Sequence, residues 1–182
     1  MGISQVKRKA IFLDRDGVLN NVIIINGKPY PPRSVTELAI PNDALSALTM
    51  LKSAGFLLIG ATNQPDVSRG TTSRAVVEAI NAQLMTQLPL DEIRVCYHDD
   101  ADQCFCRKPL PGLLLQAAEQ HQIDLGQSFM VGDRWKDIEA GQQAGCKTSW
   151  IRQSYQEKIP VTSDFTASSL TLVARWILGG VF

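Results

Sequence analysis

The chain has 182 residues, of which 45% are hydrophobic, and its 18 Lys and Arg are matched by 18 Asp and Glu. That length predicts a single domain over 1–182, and a net charge of zero excludes a global draw to nucleic acid or to an anionic membrane. No apolar run approaches the ~20 residues that span a bilayer. The stretch after Lys7–Lys9 is too short for a signal peptide, so a cytoplasmic protein is expected. Met1-Gly2 begins like a myristoylation site, but Val6 stands where Ser or Thr is wanted.

Ala10-Ile11-Phe12-Leu13 predicts a short buried strand, followed at its carboxyl end by Asp14-Arg15-Asp16-Gly17. In extended backbone, residues two apart face the same side, so Asp14 and Asp16 can share one pocket. Asn21–Ile40 is irregular and proline-rich. Asn26-Gly27, between Val22–Ile25 and Lys28–Tyr30, predicts a small hairpin that would lie over the Asp14/Asp16 edge as a flap. Pro41-Asn42-Asp43 opens a helix carrying Leu45, Leu48 and Leu51, stopped by Gly55. Phe56–Ala61 is a second buried strand and ends in Thr62-Asn63-Gln64-Pro65.

Thr71/Thr72 are expected to cap a helix with Val76, Ala79, Ile80 and Leu84 on one side. Ile93–Val95 is a strand running into Cys96 and His98. After Pro109–Gly112 comes a helix with Leu113, Leu114, Ala117 and Ala118. Ser128–Val131 is a strand ending in Gly132-Asp133, and the next helix closes at Gly145. Lys147–Ile151 is a further strand, Leu170–Leu178 a last amphipathic helix. Alternating strands and helices imply an α/β fold, a doubly wound, Rossmann-like parallel sheet covered on both faces. Ligands bind at the carboxyl edge of such sheets, where Asp14, Asp16, Thr62 and Asp133 would gather.

Carboxylates from two strand ends can hold an octahedral Mg²⁺. The Thr62 hydroxyl and the Lys108 ammonium supply donors for an anion. Together they describe a phosphoryl-transfer site in which a carboxylate attacks in line. Cys96-Tyr97-His98, five intervening residues, and Cys104-Phe105-Cys106 offer three thiolates and one imidazole. This is the closed, soft tetrahedral set of structural Zn²⁺, in a compartment where disulfides are not expected. The ion would stiffen the loop that presents Arg107-Lys108.

Asp14-Arg15-Asp16-Gly17-Val18-Leu19, Thr62-Asn63-Gln64, Arg107-Lys108-Pro109 and Gly132-Asp133-Arg134-Trp135-Lys136-Asp137 resemble, in order, the four motifs of the haloacid dehalogenase (HAD) superfamily. The resemblance implies the HAD fold, with Asp14 as nucleophile and Mg²⁺ ligand. Asp16 would be the general acid and base, its carbonyl on the ion. Thr62 and Lys108 would hold the phosphoryl group, Asp133 would complete the Mg²⁺ site, and Asp137 would orient a water or Lys108. The zinc loop followed by Arg-Lys-Pro resembles two minimally capped phosphatase groups, one acting on D-glycero-D-manno-heptose 1,7-bisphosphate and the other on histidinol phosphate. Thr62-Asn63-Gln64 and Arg69-Gly70 resemble the heptose group. The short His98–Cys104 spacer resembles the histidinol group, and Pro65-Asp66 departs from the small Ser-Gly pair of the heptose enzymes.

The first expectation is therefore a small-molecule phosphatase, a monomer, taking heptose bisphosphate, with Asn63 and Arg107 reading the substrate. Histidinol phosphate is the alternative. A polynucleotide 3′-phosphatase is disfavoured by neutrality, and a non-catalytic zinc module by the presence of every chemical position.

Overall fold

The computed structural model describes residues 7–155, 158–160 and 162–179. The Met1-Gly2 and Val6 positions lie outside these residues. Six parallel strands form the central sheet: β1 (Ala10–Leu13), β4 (Leu57–Asn63), β5 (Glu92–Cys96), β6 (Phe129–Gly132), β7 (Lys147–Ile151) and β8 (Phe165–Ala167). Their order is β5-β4-β1-β6-β7-β8. The chain leaves β1 towards one edge and then returns to build outwards on the other side. The switch point lies beside β1, where α/β sheets bind ligands. Short strands of small and branched apolar residues suit this central position. Every residue of β1 is buried.

Helices cover both faces. Ile11, Leu13, Leu58 and Val131 pack under α1 (Ala44–Ser53), α2 (Arg74–Gln87) and α5 (Leu170–Ile177). Phe12, Ile59 and Met130 pack on the other face, with Leu113, Leu114 and Ala117 of α3 (Gly112–His121). Beside α3 runs α4 (Trp135–Ala144), whose αL residue Gly145 (φ 84°) ends it as expected.

Some local readings change. Leu45 is exposed, and the buried stripe of α1 is Ala44, Ala47, Leu48 and Leu51. Ser73, not Thr71 or Thr72, caps α2 by accepting from the Val76 N–H. Ala79 is exposed, and Val77, Ile80, Asn81 and Leu84 form the buried face. Asp43 makes no side-chain cap on α1; its carboxylate accepts from the Thr171 N–H at the start of α5. That bond ties the first and last helices together. The hairpin forms as expected, with β2 (Ile23–Ile25) and β3 (Lys28–Tyr30) joined by Asn26 and Gly27, both at positive φ, as a two-residue I′ turn requires.

Candidate active site

Three adjacent strand ends and one loop bring the chemistry together. Asp14 follows β1, with its N–H on the Val131 carbonyl of β6. Thr62 and Asn63 close β4, and Asp133 follows β6. Lys108 arrives from the loop before α3, and its Nζ stands 2.6 Å from Asp14 Oδ1, Asp137 Oδ1 and the Ala61 carbonyl oxygen. Asp14, Thr62, Lys108, Asp133 and Asp137 are all buried. A buried ammonium facing two carboxylates keeps its proton, and the Lys108 pKa is raised accordingly. Asp137 sits in the first turn of α4, where its carboxylate also accepts from the Arg134 N–H. Gly132 is required beside it, because a Cβ there would overlap the Asp137 side chain.

Asp14, Asp133 and Asp137 offer oxygens within 4.8 Å of one another. Both carboxylate oxygens of Asp133 are buried without a hydrogen-bond donor among the described residues. Burial pushes its pKa well up, and neighbouring Asp14 pushes the same way. Burial likewise raises Asp14 to about 6, against the pull of Lys108. An unsatisfied buried carboxylate is strongly unfavourable. A hard divalent cation satisfies oxygen clusters of this kind, so the residues present fit Mg²⁺.

Asp16 lies within a ring of donors. Its carboxylate accepts from the Arg15 guanidinium at 3.0 Å, from Asn20 Nδ2 at 3.0 Å and from Gln64 Nε2 at 2.7 Å. Arg15 is fully buried, and its other arm donates to Asn81 on α2. The Gln64 amide also donates to Thr62 Oγ1 at 2.9 Å. That hydroxyl, having accepted one bond, keeps its own proton for a ligand. Arg15, Asn20, Gln64 and Asn81 were not among the expected site residues. The available signals were an arginine wedged between two aspartates and an asparagine on the apolar stripe of α2.

Asn63 and Arg107 have other partners than the substrate-reading role supposes. Asn63 spends both amide atoms on the main chain of Lys108, donating to its carbonyl at 2.9 Å and accepting from its N–H at 3.1 Å. It therefore fixes the lysine. Arg107 is half-buried, with Nε on Asp100 at 2.7 Å. Both still line a cleft above the aspartates, roofed by Pro29, Tyr30 and Pro31 of the hairpin.

Cys96, at the end of β5, and Cys104 and Cys106, in the following loop, hold their sulfurs 3.2 to 3.6 Å apart. His98 Nδ1 lies 3.3 Å from Cys106 Sγ and 3.6 Å from Cys96 Sγ. A tetrahedron with bonds of ~2.3 Å has edges of about 3.7 Å, so the spacing of these four atoms is compatible with a zinc ion. The loop is clipped across the cleft by Arg69, which grips both Asp99 oxygens at 2.7 and 2.5 Å.

Residues 105–171 match the HAD-hydrolase-like family. A D-glycero-beta-D-manno-heptose-1,7-bisphosphate 7-phosphatase of Helicobacter pylori is 37% identical over 149 residues, covering 79% of this chain and 83% of the relative. The Pasteurella multocida protein of the same name is 36% identical, covering 86% of each chain. The crystal structure of the D,D-heptose 1,7-bisphosphate phosphatase of Bordetella bronchiseptica, complexed with magnesium and phosphate, superposes with a TM-score of 0.78 at 30% identity. That match covers 94% of this chain and 98% of the other.

Proposed function

This chain belongs to the haloacid dehalogenase-like phosphatases, and on that premise we propose that it removes the 7-phosphate of D-glycero-D-manno-heptose 1,7-bisphosphate. The observation that carries the reaction is the meeting of Asp14, Asp133 and Asp137 beside the Lys108 ammonium. The similarity to the heptose phosphatases carries the substrate. Supporting the same choice, Arg69, Arg107 and Lys136 line the cleft, which suits a second phosphate better than an imidazolium. Asp66, the one acid that departs from the heptose pattern, lies 3.7 Å from Arg69 and is matched in charge.

In this reading Asp14 attacks the 7-phosphorus, the ester P–O bond breaks, and Asp16, which must exchange its bond to Arg15 for a proton on binding the substrate, gives that proton to the leaving sugar oxygen. Water then attacks the aspartyl phosphate, Asp16 takes the water's proton, and the Asp14–phosphorus bond breaks. Lys108 and the Thr62 hydroxyl hold the phosphoryl oxygens throughout. Asp14, Asp133 and the Asp16 carbonyl would hold Mg²⁺, which supplies further charge neutralisation at those oxygens. Cys96, His98, Cys104 and Cys106 would hold a structural Zn²⁺. Asn63 holds the Lys108 loop, and Arg107 stands where a sugar hydroxyl or second phosphate enters. The enzyme so described works as a cytoplasmic monomer on a small phosphate ester.

The test is phosphate release with Mg²⁺ from heptose bisphosphate, histidinol phosphate and sugar monophosphates in parallel. The bisphosphate is expected to give the highest kcat/KM. A preference for histidinol phosphate would overturn the substrate, and release undiminished in Asp14→Asn would overturn the covalent route.

A further inference from the structure

One buried hydroxyl beside the aspartates has no role in this scheme. Tyr155 follows β7, and its phenol oxygen is buried without a hydrogen-bond partner among the described residues. Gly17, at φ +97°, turns the chain close to it. The point where a Gly17 Cβ would stand is 2.7 Å from the Tyr155 oxygen, and Asp133 Oδ2 is nearer still. The two orphaned polar groups therefore converge over the one residue type that leaves room for both. A non-glycine residue here would strain the backbone and fill the space between them.

The segment carrying Tyr155 is tied to this corner on both sides. The Trp150 indole N–H, on β7, donates to the Asp133 carbonyl at 2.9 Å. The Gln153 amide donates to the Gly17 carbonyl at 2.7 Å. These bonds place the phenol next to the one aspartate of the cluster that lacks a donor. Lys108 serves Asp14 and Asp137 but gives nothing to Asp133. A phenol is a suitable second partner for a metal-binding carboxylate. It donates one hydrogen bond and brings no positive charge to repel the cation.

We propose that Tyr155 is a positioning residue for the metal site: its O–H pins one oxygen of Asp133, directly or through one water, and turns the other towards the cation. The proposal rests on the Mg²⁺ site described under the proposed function. Outer partners of metal ligands typically change affinity 10- to 100-fold when removed.

The experiment is Mg²⁺ titration calorimetry of the substrate-free protein, wild type against Tyr155→Phe, with thermal unfolding of both in EDTA. The phenylalanine keeps the ring, so Tm in EDTA is expected to stay unchanged while the Mg²⁺ Kd rises about 10-fold or more. Mg²⁺ should also perturb a near-ultraviolet tyrosine band that the variant lacks. An unaltered Kd in Tyr155→Phe, with the wild type binding normally, overturns this proposal alone. A wild-type protein that binds no Mg²⁺ overturns it together with the function reading.

Discussion

Lys108 and Asp14, 94 positions apart in sequence, are joined by a 2.6 Å hydrogen bond between two buried charged groups. The same ammonium reaches Asp137 at 2.6 Å, so one cation compensates two carboxylates. Lys108→Met removes that compensation and keeps the volume. Breaking a buried pair from one side typically destabilises by about 3–5 kcal/mol. Denaturant unfolding of the metal-free variant should show a loss of this order, and phosphatase activity should drop by about 10²-fold or more. Native-like stability and turnover in Lys108→Met would show that the lysine is a bystander.

The acidic cluster also predicts a pH dependence for stabilisation by magnesium. Asp14 titrates near 6 in the metal-free fold, above its ordinary 3.8. The native state therefore binds this proton more tightly than the unfolded chain does. Metal-free stability should fall as pH rises from about 4 through about 6, and Asp133, whose carboxyl burial also holds well up, adds to the fall in the same direction. Mg²⁺ competes for the ionised form, so it gains from the loss of the proton. The rise in Tm on adding Mg²⁺ should be smaller at pH 5 than at pH 7.5. An equal rise at both pH values would contradict the titration assigned to Asp14.

What the sequence revealed, and what it hid, follows from the range of each interaction. Asp14, Thr62 and Asp133 each end a short apolar strand, and parallel strands place such ends on one edge, so their convergence follows from periodicity. The Cys96–Cys106 cluster is local and equally visible. Phe165–Ala167 was missed as a strand because three residues carry no alternation to detect. Leu45 satisfies helical spacing, but the burial of α1 is set by its partner α5, which spacing does not encode. Asn63 is expected from the sequence to read the substrate, and the structure adds a second partner for it. Its tie to Lys108 spans 45 positions and depends on how two loops dock. Tyr155 lies in a stretch with no motif, and only folding brings it over Gly17.

Asn63 gives a separate prediction. Asn63→Leu would leave the N–H and C=O of Lys108 without their side-chain partner. Unsatisfied groups of this kind destabilise by about 1–3 kcal/mol each where they stay buried. The loop should relax, moving the ammonium off the phosphoryl position and lowering kcat, while the Mg²⁺ Kd stays near that of wild type. A variant that raises KM with kcat intact would return Asn63 to a substrate-binding role.

The Cys96–Cys106 loop and its proposed zinc supply the last prediction. Lys108 comes two residues after Cys106, and Arg107 between them is held by Asp100 and the His98 carbonyl, both within the loop. Four ligand atoms in one short segment leave no vacant position for a substrate, so the ion would act through rigidity alone. Cys104→Ser removes one soft ligand and should lose most of the single zinc expected per chain by elemental analysis. Tm should fall, because metal-binding free energy contributes to folding. Activity should fall with it, since Asp99 anchors Arg69 across the cleft and Asp100 holds Arg107 within the loop. The Mg²⁺ Kd should change little, because Asp14 and Asp133 belong to the rigid strand ends. A zinc-free Cys104→Ser protein with wild-type Tm and turnover would leave the cluster as four unconnected side chains.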